Sequence, residues 1–353
     1  MPKDTMTPRE RWLAVLRREK PDRVPMDYWS TEEATEKLMH HLGVKERDDL
    51  YARLHIDRVG GVGPRYIGPP SRDHEDVFGC RYQSIDYGTG SYYECVYYPL
   101  AKYQSVSEIE TEYTWPSPDW WDYSGIAEQA EGQERYPLRA GGSEPFLTYC
   151  HLRGQEQALI DLALNPELAH YCLDKLFDLA YENSRRIYEQ IPGQVTLAYV
   201  AEDMGAQNGL LISPAHIREF LLPRMKRMVE LVHQAGAHVF HHNDGAIRDI
   251  IPDLIEIGID VLNPIQWRCK GMDREGLKRD FGDRLILHGG VDNQYTLAMG
   301  SVEDVRQEVI DNLRILGQGG GYIIAPCHNI QAVSPPENIV AMYDTGYENR
   351  WTM

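Results

Sequence analysis

Between residues 195 and 346 short apolar runs alternate with amphipathic stretches, and this alternation constrains the fold more than any other feature of the chain. The runs are 195–200, 237–241, 260–263, 284–288 and 321–325. After them the spacing predicts a helix opening at Ser213-Pro214 and interrupted by Pro223, then helices over 246–257, 273–281, from Ser301 to about 316, and 335–346. Strands alternating with helices build a parallel sheet. With further strands near residues 24, 57 and 137 the count reaches eight, and 353 residues suit a single (β/α)8 TIM barrel of class α/β with an N-terminal extension. An open doubly wound sheet is the other topology, but no Gly-x-Gly-x-x-Gly sits at a strand-to-helix turn.

The first half is less regular. Thr7 caps a helix with Pro8 at its first position, Glu10 in its first turn, and Trp12, Leu13 and Leu16 on one face. A strand is expected over 26–29. Residues 76–98 read as an inserted antiparallel hairpin: Phe78, Tyr82 and Ile85 run into Gly88-Thr89-Gly90, followed by Tyr92, Cys95 and Tyr97. That hairpin is a candidate lid or a contact between copies of the chain. Trp115, Trp120 and Trp121 among prolines read as a loop.

Charge excludes several roles. The chain has 36 Lys and Arg against 54 Asp and Glu, a formal charge of -18, which repels nucleic acid and anionic lipid. No apolar run approaches the roughly 20 residues of a spanning helix, and no apolar signal core opens the chain, so a cytoplasmic protein is expected. Six cysteines without a C-x-x-C pair do not form a disulfide framework.

In a barrel, chemistry gathers where strands end. Each of the later apolar runs ends in polar residues: Glu202 and Asp203; His242 and Asp244; Asn263 and Gln266; His288, Gly289, Gly290 and Asp292; Cys327 and His328. Imidazole, carboxylate and thiolate are all zinc ligands, so His242, Asp244 and Cys327 form the expected metal set, with a fourth place left for substrate. The i, i+2 spacing turns His242 and Asp244 the same way, while His241 faces the packing. His328 is the alternative ligand beside Cys327. Of Glu202 and Asp203, the candidate acid/base residues, only one can point inward. Asn263, Gln266, His288 and Asp292 are candidate substrate contacts. Asp244-Gly245 also reads simply as a turn pair capping the next helix.

Several segments resemble the uroporphyrinogen decarboxylase superfamily of (β/α)8 barrels. They are Thr7-Pro-Arg-Glu-Arg-Trp-Leu through Pro21-Asp-Arg-Val-Pro25, Gly142-Ser-Glu-Pro-Phe-Leu-Thr-Tyr149, and Phe240-His-His-Asn-Asp-Gly245 through Gln266. The superfamily includes zinc-dependent methyltransferases that work with corrinoid proteins. True decarboxylases carry arginines near the N-terminus for the porphyrinogen carboxylates; here Met26-Asp-Tyr-Trp-Ser30 stands in that region, without an arginine. The resemblance therefore favours the methyltransferase branch, in which His-x-Cys and a distant Cys bind zinc. His242, Asp244 and Cys327 fall on those positions, with Asp in place of the first Cys. A carboxylate leaves zinc a stronger Lewis acid than a second thiolate would. The expected activity is removal of a methyl group from a small donor such as a methyl ether, passed to a corrinoid (cobalamin) on a transient partner protein. The rivals are a metal-free decarboxylase or lyase using His242 and Asp244 as acid and base, and a non-catalytic barrel that binds a small ligand or a corrinoid protein.

Overall fold

The structure is a computed structural model that describes residues 4–86, 88 and 90–349. One sheet of parallel strands runs in chain order: β1 (Gly60–Gly61), β2 (Leu138–Ser143), β3 (Leu197–Val200), β4 (His238–His242), β5 (Val261–Ile265), β6 (Ile286–Val291) and β7 (Tyr322–Pro326). An extended segment at 25–27 joins the two edges. The Asp27 N–H donates to the Ile324 carbonyl at 2.8 Å, the Ile324 N–H to Pro25 at 2.9 Å, and the Asp57 N–H to Met26 at 2.8 Å. The ring closes as the expected barrel. The strand expected near 24 is one bridge, however, and the strand near 57 is only two residues long.

Strands β5, β6 and β7 are buried along their whole length, as expected for a sheet covered on both faces. Helix Pro8–Leu16 starts in a capping box between Thr7 and Glu10. It seats Trp12, Val15 and Leu16 against Leu197, Phe240, Val261, Ile286 and Ile323, which plugs the N-terminal end of the barrel. The opposite end is where the polar strand ends meet.

The helix after Ser213 shows how Pro223 is accommodated. Pro223 has no N–H for the preceding turn, and the chain answers with a π-helical turn, Ile217–Leu221, between helices Pro214–His216 and Leu222–Gln234. The expected hairpin forms from Arg81–Asp86 and Ser91–Tyr97, with Ile85 opposite Tyr92; Thr89 of its turn lies outside the described residues. Gln331 Nε2 donates to the Tyr92 hydroxyl at 3.0 Å and ties the hairpin to the loop after β7. The expected loop at 115–123 contains a 3-10 turn, Pro118–Trp120, and a short pairing of Trp121–Asp122 with Arg65–Tyr66. Among the described residues no helix is long and apolar enough to cross a membrane, and all six cysteines are free.

Candidate metal centre and active site

Two loops meet backbone to backbone at the open end, one after β3 and one after β4. The Ala246 N–H donates to the Ala206 carbonyl at 2.8 Å. A Cβ on Gly205 would lie 2.3 Å from the Asp244 carbonyl oxygen, and one on Gly245 would lie 2.7 Å from Ala206 N, so only glycine permits the approach. The contact sets Asp203 beside Asp244, whose N–H donates to Asp203 Oδ1 at 3.1 Å. His242, at the end of β4, completes the group. Its Nε2 lies 3.8 Å from Asp203 Oδ1 and 3.9 Å from Asp244 Oδ1, and one ligand atom from each of the three residues falls within 4.8 Å of the others.

A chain of hydrogen bonds across the barrel orients that imidazole. His242 Nδ1 donates to Asn263 Oδ1 at 2.6 Å, and Asn263 Nδ2 donates to His288 Nδ1 at 2.7 Å. His288 Nε2 then donates to Asp27 Oδ2 at 3.0 Å. Burial alone would raise Asp27, but hydrogen bonds from His288, Trp29 and the Tyr28 N–H hold it below the usual carboxylate value. Every donor along this line has an acceptor, so Nδ1 keeps the His242 proton and Nε2 faces the two carboxylates. Nε2 and two carboxylate oxygens are all lone-pair donors. Such a set is able to hold a metal ion, and its nitrogen and oxygen donors suit a divalent ion such as zinc.

The other expected site residues fall as follows. The Cys327 thiol does not join the group: it is buried, donates to the Ile265 carbonyl at 3.1 Å, and burial raises it far above the usual thiol range. Asp203 occupies the place expected for it, because the loop contact at Gly205 turns Asp203 inward. His328 Nε2 stands 3.6 Å from Asp244 Oδ2. Gln266 Nε2 donates to Asp244 Oδ1 at 2.9 Å, which makes Gln266 a holder of that carboxylate rather than an open substrate contact. Asn263 and His288 are buried in the relay, with their side-chain groups engaged inside the protein, so neither is free to meet a substrate. Asp292 is likewise occupied, by Arg268 at 2.9 Å and by the Thr296 N–H at 3.0 Å.

Of the two acid/base candidates, Asp203 faces the site and Glu202 turns away. Glu202 Oε2 accepts from the Phe146 N–H at 2.8 Å, satisfying a first-turn donor of helix Pro145–Arg153. Its burial is complete and raises it well above the usual carboxylate value. His241 faces the packing as expected: its Nδ1 meets the Val200 carbonyl at 2.6 Å, and burial lowers it to about 4.

Sequence reasoning missed three residues at the site. Glu144 follows a bulge in β2, where a Cβ on Gly142 would lie 2.0 Å from the Tyr199 carbonyl oxygen. Burial, and then the charge of Asp203, push Glu144 up to about 7. Trp29 and Tyr199 flank His242, their rings 5.7 and 5.9 Å from it and tilted by 22° and 26°. The signal for Glu144 was its place in the Gly142-Ser-Glu-Pro segment. Nothing in the sequence singled out either aromatic ring.

Barrel and polar mouth together define a (β/α)8 scaffold with a candidate metal centre. Residues 124–348 match the uroporphyrinogen decarboxylase (URO-D) family, and the chain belongs to it. It is 27% identical over 221 residues to a uroporphyrinogen decarboxylase from Psychromonas ingrahamii, covering 59% of this chain and 57% of that protein. It is 28% identical over 132 residues to the methylcobamide:CoM methyltransferase MtaA from Methanosarcina barkeri, covering 37% of this chain and 36% of that one. The chain thus spans less than two thirds of the length of these curated relatives. A methyltransferase from Methanosarcina mazei shares the fold, with a TM-score of 0.69 and 18% identity over 97% of this chain and 99% of that chain.

Proposed function

We propose that this chain is a metal-dependent methyltransferase that takes a methyl group from a small methyl ether and passes it to a corrinoid carried by a partner protein. The observation that carries the reading is the convergence of His242 Nε2 with Asp203 and Asp244. Those three residues would hold a divalent ion, zinc being the one expected. Such an ion supplies Lewis acidity toward the donor oxygen, which favours departure of the methyl group.

The remaining work falls to the protein's own groups. Asn263, His288 and Asp27 keep the His242 ring turned so that Nε2 faces the mouth. Gln266 fixes the Asp244 carboxylate. Trp29 and Tyr199 wall the space beside His242. Glu144, balanced near neutrality, carries the proton needed by the leaving oxygen. Residues 26–30 bring Asp27, Tyr28 and Trp29 to the mouth and no cation, which disfavours a substrate with many carboxylates. The relation to the methylcobamide:CoM methyltransferase supports a corrinoid as one party to the transfer.

Metal analysis tests this directly. Wild-type protein purified without chelator is expected to carry close to one divalent ion per chain, and His242→Ala and Asp203→Ala to carry little. Methyl transfer from a methyl ether to a corrinoid protein should stop on chelation and return with zinc. Metal-free wild type, or decarboxylation of a small acid that survives chelation, overturns the reading in favour of a metal-free lyase.

A further inference from the structure

Away from the barrel mouth, the base of the inserted hairpin gathers two thiols around one carbonyl. Cys80 ends a turn that Asp76 organises. Asp76 Oδ1 accepts from the Phe78 and Cys80 N–H groups, both at 2.9 Å, and the Asp76 N–H donates to the Cys80 carbonyl at 3.0 Å. Cys95 lies on the second hairpin strand, opposite Tyr82, where the ladder slips register in a bulge that bends the strand. The Cys80 thiol donates to the His151 carbonyl at 3.3 Å, and the Cys95 thiol donates to the same oxygen at 3.6 Å. Two sulfurs on one oxygen are neighbours, and these two side chains are also in hydrogen-bonding contact with each other.

The pair also holds the one cysteine of the six that solvent reaches. Cys95 is half-buried, whereas Cys80, Cys150, Cys172, Cys269 and Cys327 are buried. The thiols of Cys269 and Cys327 donate to the Gln207 side chain and the Ile265 carbonyl. An accessible thiol with a second thiol at its side is the arrangement that disulfide exchange needs: the first attacks and the second resolves. Burial, and then the charge of Asp76, raise Cys80 far above the usual thiol range. Cys80 is therefore a poor leaving group, and a bond once made to it reopens slowly. The same shift slows the attack by Cys80 itself, so that step depends on the two sulfurs already being adjacent.

We propose that Cys80 and Cys95 are a modification site, a thiol pair that a small-molecule disulfide converts to an intrachain disulfide across the base of the hairpin. Cys95 loses its proton and attacks one sulfur of the reagent, whose S–S bond breaks and releases one thiol. Cys80 then loses its proton and attacks Cys95 Sγ; the mixed disulfide breaks and the second thiol leaves. The cysteines give up two electrons and two protons, and the reagent takes them up as two thiols. The new bond removes both S–H donors from the His151 carbonyl, in the last turn of helix Pro145–Arg153. It also fixes the base of a hairpin whose Tyr92 hydroxyl accepts from Gln331, in the loop after β7. That loop reaches the open cleft at the mouth through Asn329. The inference is independent of the metal reading.

The test treats the reduced full chain with oxidised glutathione, quenches with acid, alkylates the remaining thiols and maps the peptides by mass. Folded wild type is expected to lose two thiols and to yield one cross-linked peptide pair, Cys80 to Cys95. That bond should form about tenfold or more faster than any other cysteine is modified. Cys80→Ser lacks the resolving thiol and should accumulate a single glutathione adduct on Cys95. Cys95→Ser lacks the attacking thiol and should show neither bond nor adduct at Cys80. Circular dichroism checks that both serine variants keep the fold; if either does not, the wild-type map decides alone. A glutathione adduct on Cys95 of wild type that never resolves, a bond between any other pair, no reaction at either residue, or a bond that forms only in urea each overturns the proposal.

Discussion

The two walls of the barrel are held together by different means. From β3 to β7 the strands pair along backbone ladders, broken by one register shift between Leu262 and Ile265 of β5; β6 and β7 stay in register from Leu287 opposite Tyr322 to Val291 opposite Pro326. The wall made by 25–27 and Gly60–Gly61 has few such bonds, and buried charges join it instead. Asp57 takes the Met26 N–H at 2.9 Å, binds Arg23 at 2.7 Å and also pairs with Arg11, while Arg11 holds Asp22 at 2.6 Å. Where the ladder shortens, side chains substitute for it, and the wall is left open beside Arg58 and Arg139. The ladder side supplies the rigid candidate metal residues; the open side shapes what can reach them.

The largest expected effect would break this comparison at Asp57. Asp57→Ala takes the shared buried carboxylate from two guanidinium groups, leaving Arg11 with Asp22 and Arg23 with Asp4, and should cost about 3–5 kcal/mol in urea unfolding. Ile323→Val, a methylene removed from the ladder side, should cost about 0.5–1.5 kcal/mol. Equal costs would show that the charged network is not what closes the ring.

Next comes the relay. Asn263→Ala removes the acceptor that holds the His242 Nδ1 proton and should weaken metal binding about 10–100-fold in chelator competition. An unchanged affinity would mean that ring packing by Trp29 and Tyr199 alone orients His242.

A smaller effect concerns pH on the ladder side. Asp260 accepts from His233 at 2.9 Å and from the Val239 N–H at 2.7 Å. Burial works against ionisation, but these bonds and one from His238 lower Asp260 to about 2 from 3.8. A carboxyl with a depressed folded value gives stability above its unfolded value and loses it as pH falls. About 2 kcal/mol should therefore disappear between pH 4 and pH 2 in wild type. Asp260→Asn should show a flatter profile there; an identical slope would assign the acid sensitivity to other carboxylates.

The sequence disclosed the ladder side well because each of its strands and helices carries its own period, and the strand ends follow from the strands. His242 and Asp244 face together because alternation survives to the end of β4. The open side was harder to read. The strand near 57 is shortened to Gly60–Gly61 because its partners are the side chains of Arg11, Arg23 and Asp57, contacts across 34 and 46 residues that no local pattern encodes. Asp203 rather than Glu202 faces the site because Gly205 and Gly245 let two loops touch, and the Phe146 N–H draws Glu202 away. Glu144 turns inward through the bulge at Gly142. Each of these depends on a neighbour distant in sequence.

The smallest expected effect separates the two metal sets most cleanly. The resemblance to thiolate-bearing methyltransferases implies Cys327 as a ligand; the geometry instead sets Asp203 beside His242 and Asp244 and leaves the thiol on the Ile265 carbonyl. Cys327→Ala removes one weak hydrogen bond and should cost about 1 kcal/mol in stability. Metal content and affinity should be unchanged, while Asp203→Asn, nearly the same in shape, loses a ligand charge and binds more weakly. The opposite pattern would show that the loop after β7 brings Cys327 to the ion in place of Asp203. Because Gln266 Nε2 also reaches the Cys327 carbonyl, at 3.4 Å, a rearranged loop would disturb Asp244 as well. Gln266→Ala would then change the affinity of the Cys327→Ala protein far more than that of wild type, and equal effects in both backgrounds keep the thiol outside the site.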